Sequence, residues 1–332
     1  MEETTKEETP AAAPDVVGEV LIEVRDLVKH YGPIKAVDGI TFEARSGDIL
    51  GFMGPNGAGK TTAMRLITGF LAPDSGGVRV SGHDMASDSL AGRQKLGYLP
   101  ENAPAYGEMT THGFLEFIAE ARGLTDIHAI DRVVEMAELR KVEHQTIETL
   151  SKGYKRRVGL AQALIHDPEV LILDEPTDGL DPNQKAVVQD LISNLSAERC
   201  IVLSTHILDE VERVCNRAMI ISQGKILVDS TPRELVEQAP DHNLISLTLD
   251  LPSSKESESL VEDLRQAEWC DRVEILDGSS AHGVEIKIYP AAGQNRLPEV
   301  LEAARGVPIS AVHQQEGRLD DLFREITRGV SR

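Results

Sequence analysis

The sequence predicts an α/β fold: a parallel core with an antiparallel β flank, followed by a smaller α+β unit. From Leu21 to about Gln238, short apolar strands alternate with amphipathic helices, the order that builds a sheet covered by helices. Two of those segments, Val170-Leu171-Ile172-Leu173 and Cys200-Ile201-Val202-Leu203, are apolar throughout, as parallel strands buried on both faces are. After Ala239-Pro240-Asp241 the order becomes β-α-β-β-α-β, that of a ferredoxin-like split unit.

Residues 1–18 are rich in Glu, Thr, Ala and Pro with almost no large apolar side chains. They cannot bury enough surface to offset the entropy of ordering, which predicts a disordered acidic tail. The main domain is expected over 19–240. Its strands fall at 21–27, 37–43, 48–53, 77–81, 96–99, 170–173, 200–203, 217–222 and 225–229. Gly32-Pro33 and Ser46-Gly47 are expected as turns between antiparallel pairs. Helical periodicity places helices at 61–71, 110–122, 126–139, 154–166, 182–195 and 207–215. The second domain is expected over 241–332. It has strands at 244–249, 272–276, 284–289 and 309–313, and helices at 255–267, 294–305 and 319–328.

Composition narrows the function. The formal net charge of −21 argues against nucleic acid as a partner of the whole surface and against attraction to anionic lipid. Lys152, Lys155, Arg156 and Arg157 form one short basic cluster. No apolar run approaches the ~20 residues of a membrane span. The start of the chain, Met1 to Glu8, has the wrong charge for a secretory signal. Cys200, Cys215 and Cys270 are too few and too scattered for a disulfide frame or a zinc site, and are expected as buried filler in a reducing compartment, the cytoplasm.

The strongest local signal is Gly54-Pro55-Asn56-Gly57-Ala58-Gly59-Lys60-Thr61-Thr62. It follows an apolar strand, precedes a helix, and matches the phosphate-binding pattern G-x-x-x-x-G-K-[ST]. Its glycines let several backbone N–H groups point at one anion at the positive end of the helix. Lys60 can then reach the β- and γ-phosphates, and the Thr61 hydroxyl can ligate Mg²⁺. The substrate class is therefore a nucleoside triphosphate, on a P-loop NTPase core. A second signal is the buried strand that ends in Asp174-Glu175-Pro176, at the carboxyl edge where α/β sites lie. Successive side chains point opposite ways, so Asp174 is expected to hold Mg²⁺ and Glu175 to polarise the attacking water.

A third signal, Leu150-Ser151-Lys152-Gly153-Tyr154 before a helix, makes the similarity specific. Over residues 20–240 the chain resembles an ATP-binding subunit of the ABC transporter superfamily, with motifs in family order from Tyr31 to His206. The resemblance implies an antiparallel β subdomain and a helical subdomain on the core. It implies that Tyr31 stacks on adenine. It implies that Ser151 and Gly153 contact the γ-phosphate of nucleotide held by the opposite subunit, and that Gly179-Leu180-Asp181 crosses the dimer. His206 of Ser204-Thr205-His206 is implied as the switch that meets the γ-phosphate and the water. Glu101 of Leu99-Pro100-Glu101 stands where the family usually has Gln; it remains a hard-cation ligand but adds negative charge. Lys152 and Tyr154 replace a glycine and a glutamine of the usual Leu-Ser-Gly-Gly-Gln, and Lys152 either attracts nucleotide or is solvated.

The resemblance further implies a homodimer or heterodimer of ATPase subunits, ATP and Mg²⁺ as ligands, and a separate integral-membrane permease. The stretch 98–123, with Pro100, Pro104, Tyr106 and Met109, either docks that permease or forms an ordinary subdomain core. Gly317 to Phe323 resembles the closing helix of ATPases that serve multidrug, polysaccharide or gliding-type exporters. This makes the lead expectation an ATPase that energises an exporter from the inner membrane face. In the 241–332 domain His282 and His313 are isolated, and a regulatory or dimerising role is expected. A soluble ABC ATPase of translation or DNA repair is the alternative, disfavoured by a single phosphate loop, no sustained heptad run and the acidity. A degenerate scaffold is disfavoured by intact Lys60, Glu175 and His206.

Overall fold

The structure is a computed structural model. It describes residues 18–102, 105–195, 199–251, 257–276, 283–291 and 294–329. The tail expected over 1–18 lies outside these apart from Gly18, and Pro104 and His282 lie outside them too.

The chain opens with two twelve-residue strands, β1 (Val20–Tyr31) and β2 (Ile34–Arg45), joined by the Gly32-Pro33 turn. Then come β3 (Ile49–Met53), α1 (Lys60–Ile67), β4 (Ser75–Val80), β5 (His83–Asp84), α2 (Ser89–Gln94) and β6 (Leu96–Leu99). The helices α3 (Thr111–Ala121) and α4 (Ala129–Met136) lead to α5 (Lys152–Leu164). The main unit continues with β7 (Val170–Asp174), α6 (Pro182–Asn194), β8 (Cys200–Thr205), α7 (Leu208–Val214), β9 (Arg217–Ser222) and β10 (Lys225–Ser230). After α8 (Pro232–Glu237) come β11 (Ile245–Leu249), α9 (Glu258–Gln266), β12 (Cys270–Leu276), β13 (Val284–Pro290), α10 (Leu297–Ala303), β14 (Ile309–Gln314) and α11 (Leu319–Gly329).

Two sheets form the first unit. One is antiparallel, in the order β2-β1-β4-β5. The other runs β10-β9-β3-β8-β7-β6, parallel except for the β9–β10 hairpin. Every residue of β3, β7, β8 and β9 is buried, because helices cover both faces of a parallel sheet. The Ser46-Gly47 turn does not close an antiparallel pair, as the sequence suggested. It passes the chain from β2 into the parallel sheet, since β3 is apolar on both sides and pairs with β8 and β9.

Helix ends follow local chemistry. Gly69 at φ +66° stops α1 short of residue 71. The Asp126 carboxylate accepts from the His128 amide, and α4 begins only at Ala129; Glu138 at φ +52° closes it. Ser151 caps α5, which begins at Lys152, two residues ahead of the expected start. The short helices α2 and α8, six residues each, were not anticipated, because so short a segment shows little periodicity.

The chain divides into two compact units between Pro232 and Arg233, ahead of the expected 240. Most of α8 joins the second unit, where the Val236 carbonyl lies close against Gly317. That unit's sheet runs β12-β13-β11-β14, antiparallel throughout, which is the ferredoxin-like order. Its strands β11 and β13 alternate buried and half-buried residues, so one face packs on α9 and α10 through Leu260, Leu264 and Val300.

Candidate nucleotide site

The buried strand β3 runs into the 54–59 loop, which opens α1. At Gly59 (φ +110°) a Cβ would stand 2.1 Å from the Ala36 carbonyl, so only glycine allows β2 and the loop to meet. No side chain caps α1 at Gly59, which leaves the first-turn amides free for an anion at the positive helix end. Lys60, only 7% exposed, curls back to donate from Nζ to the Gly54 carbonyl at 2.7 Å and the Pro55 carbonyl at 3.4 Å. Its Nζ also lies 3.7 Å from Glu175 Oε1. Burial holds Lys60 below the usual lysine range against the pull of Glu175 and Asp174.

Asp174 closes β7 and is 1% exposed. Its Oδ1 accepts from the Ser204 hydroxyl at 2.5 Å and from the Thr61 hydroxyl at 3.3 Å. Its Oδ2 is buried with no hydrogen-bond partner among the described residues. A buried carboxylate oxygen without a donor is costly. Beside the Thr61 hydroxyl, it makes an oxygen set that fits a hard cation such as Mg²⁺.

Glu175 stands in the left-handed region at φ +49°, a conformation that costs on the order of 1–3 kcal/mol for a non-glycine residue and needs support around it. Its amide donates to both the carbonyl and the hydroxyl oxygen of Ser204, each at 3.1 Å, while the Arg156 guanidinium donates to its carbonyl. So held, Glu175 Oε2 lies 2.9 Å from His206 Nδ1. Burial raises the Glu175 carboxyl above its usual range, against the lowering by His206 and Lys60. A raised pKa suits a carboxylate that must take and return a proton near neutrality.

The remaining expected residues form a separate set. Ser151 caps α5, accepting from the Tyr154 amide at 3.4 Å. A Cβ on Gly153 would meet Gln184 Oε1 at 2.4 Å, so α5 and α6 approach through that glycine. Asp181 caps α6, accepting from the Gln184 amide at 3.0 Å. Lys152 Nζ lies 3.4 Å from Asp178 Oδ2, at the start of the loop that carries Gly179. Among the described residues, no hydrogen bond or ion pair joins Ser151, Gly153 or Asp181 to Lys60, Thr61, Asp174, Glu175 or His206.

Tyr31 is half exposed at the tip of the β1–β2 hairpin, whose Ala36 borders the phosphate loop. Pro55, Asn56 and Gly57 are exposed, Ala58 is buried and Thr62 half-buried. Glu101 is exposed, and its charge reaches Lys60. The basic cluster is not a surface patch: Arg156 and Arg157 are 6% and 4% exposed. Arg156 donates to the Pro100 carbonyl at 3.1 Å and the Glu101 carbonyl at 2.7 Å, besides Glu175. Cys200 and Cys215 are buried, but Cys270 is only half so. Sequence reasoning missed the bracing roles of Ser204 and Arg156, which depend on contacts far apart in the chain.

The sequence profile of the family described as "ABC transporter" matches residues 37–178. The linearmycin resistance ATP-binding protein LnrL of Bacillus subtilis is 32% identical over 315 residues, covering 92% of this chain and 98% of the relative. The bacitracin transport ATP-binding protein BcrA of Bacillus licheniformis is 32% identical over 311 residues, covering 93% and 98%. Among solved structures, one titled as the ATP-binding subunit of an ABC transporter superposes with a TM-score of 0.60 at 30% identity, over 66% of this chain and 92% of that one. Matched nearly end to end by such relatives, and carrying a phosphate loop with a buried lysine beside two acidic strand-end residues, the chain belongs to the ABC transporter family as an ATP-binding, ATP-hydrolysing subunit.

Proposed function

We propose that this ATPase energises a membrane exporter through a separate permease, at the cytoplasmic face of the membrane. Two resistance and transport ATP-binding proteins resemble it over almost their whole length. No helix among the described residues is long and apolar enough to cross a membrane, so the permease is assigned to another chain. The soluble translation or repair alternative has no support among these relatives.

The observation that carries the mechanism is the Lys60–Glu175–His206 chain of contacts, which runs from a buried lysine to an exposed imidazole beside the buried Asp174. The loop amides from Gly54 to Gly59 and Lys60 bind the β- and γ-phosphates, and Tyr31 stacks on the base. Thr61 and Asp174 would hold Mg²⁺, with Glu101 as a further ligand, and the ion would supply charge neutralisation at the phosphates. Glu175 Oε orients the attacking water and accepts its proton. His206 positions Glu175 and meets the γ-phosphate. Ser151, Gly153 and Asp181 serve the nucleotide held by a second ATPase subunit, a homodimer or heterodimer partner. We assign residues 241–332 a regulatory or dimerising role.

The test is ATP affinity and turnover of the full chain with and without Mg²⁺. Lys60→Ala is expected to weaken ATP binding and abolish turnover; wild-type affinity in that variant overturns the assignment. Because burial raises the Glu175 carboxyl and the base acts ionised, the acid limb of kcat is expected above pH 4.5, the ordinary glutamate value.

A further inference from the structure

We propose that Glu210 is a positioning residue for hydrolysis, a buried strut that fixes the loop of Glu175 to the loop of His206. Glu210 lies in α7 and is 5% exposed. Each of its oxygens serves a different loop. Oε1 accepts from the Thr177 hydroxyl, two residues beyond Glu175. Oε2 accepts from the Thr205 hydroxyl at 2.9 Å, one residue before His206. Thr205 Oγ1 in turn accepts from the Ile207 amide at 3.0 Å, so His206 is bracketed on both sides through one hydroxyl. Lys185 of α6 completes the carboxylate with Nζ at 3.3 Å from Oε1. Thr177 and Thr205 are themselves buried, at 2% and 0% exposure.

A carboxylate suits this place because it only accepts, and all three partners donate. Glu210 touches neither Glu175 nor His206, yet their 2.9 Å contact depends on how far apart the two strand-end loops sit. A group that fixes such a spacing acts through the residues it orients. This rests on the assignment of Glu175 and His206 to hydrolysis.

The experiment compares kcat and ATP affinity of the full chain in Glu210→Ala, Glu210→Gln, Thr205→Val, His206→Ala and the Glu210→Ala/His206→Ala double variant. Glu210→Ala is expected to lower kcat about 10–100-fold, the usual loss when an orienting partner is removed, with ATP affinity within about twofold of wild type. Glu210→Gln keeps one accepting oxygen and is expected to lose less. Thr205→Val removes one strut at constant shape, so it carries the same test should Glu210→Ala fail to fold; its kcat falls at unchanged affinity. The double variant is expected to be no slower than His206→Ala, because Glu210 acts through that pair. A Glu210→Ala or Thr205→Val enzyme with wild-type kcat overturns the proposal alone, as does a double variant whose losses multiply. Wild-type kcat in His206→Ala overturns both the proposal and the hydrolytic assignment beneath it.

Discussion

The two compact units bury different things. Nearly all buried polar or charged side chains among the described residues lie in the first, including Asp48, Lys60, Arg156, Asp174, Glu210 and Arg217; the second has Ser257. The core of the second unit is aliphatic, built on Ile245, Leu247, Ile286 and Ile288. Burying charge is expensive unless every group finds a partner, so a packing unit avoids it. The first unit retains it at the ends of β7 and β8, where the proposed site lies, and in the Asp48–Arg217 pair, ahead of β3 and at the start of β9. The difference teaches where a substitution should act on turnover and where it should act only on stability.

The largest effect that sharpens this contrast is expected at Glu175→Gln. The amide keeps the size of the side chain but cannot accept a proton, and turnover should fall by roughly 10²–10⁴-fold while ATP still binds. Single-turnover hydrolysis beside equilibrium binding checks it; near-normal turnover removes Glu175 from the role. The counterpart in the second unit is Ile286→Ala, at a fully buried position of β13. It should destabilise that unit by about 2–5 kcal/mol and leave ATP affinity alone. Denaturant unfolding and nucleotide titration separate the two outcomes, and a loss of ATP affinity breaks the comparison.

A smaller effect comes from His166, whose Nε2 meets the Leu96 carbonyl at 3.0 Å. Burial lowers its pKa from 6.5 to about 4, with Arg122 contributing. The depressed value means the folded chain keeps this ring neutral while the unfolded chain protonates it near pH 6.5. The stability tied to this ring is complete above pH 6.5 and is lost as pH falls towards 4. That loss is on the order of 3 kcal/mol at most. Thermal melts across that window should flatten in His166→Gln; an unchanged slope assigns the acid sensitivity to other groups. The smallest effect is expected at Lys152→Gly, which removes an exposed ion pair to Asp178 and should change stability by no more than about 1 kcal/mol.

Much of this was legible in the sequence because it is local. The loop 54–62, the strand ending in Asp174-Glu175 and the β-α-β-β-α-β order each occupy contiguous residues whose spacing encodes geometry. Unbroken apolar runs marked β7 and β8. What escaped is long-range or brief. Arg156 reads in the sequence as part of a short basic cluster, yet it gathers carbonyls from residues 100, 101 and 175. Glu210 sits in an acidic stretch of a helix and shows its value only when Thr177, Lys185 and Thr205 surround it. The destination of the Ser46-Gly47 turn was hidden because a turn dictates a reversal, not which sheet receives the next strand.

The central claim is that two ATPase subunits clamp Mg·ATP between the phosphate loop of one and the Ser151 segment of the other. Light scattering on the full-length Glu175→Gln chain, alone and beside its permease, tests it most directly. At saturating Mg·ATP the account predicts a dimer that dissociates when nucleotide is removed and that never forms once Lys60→Ala is added. ATPase subunits that stay apart at saturating Mg·ATP in both settings would contradict it.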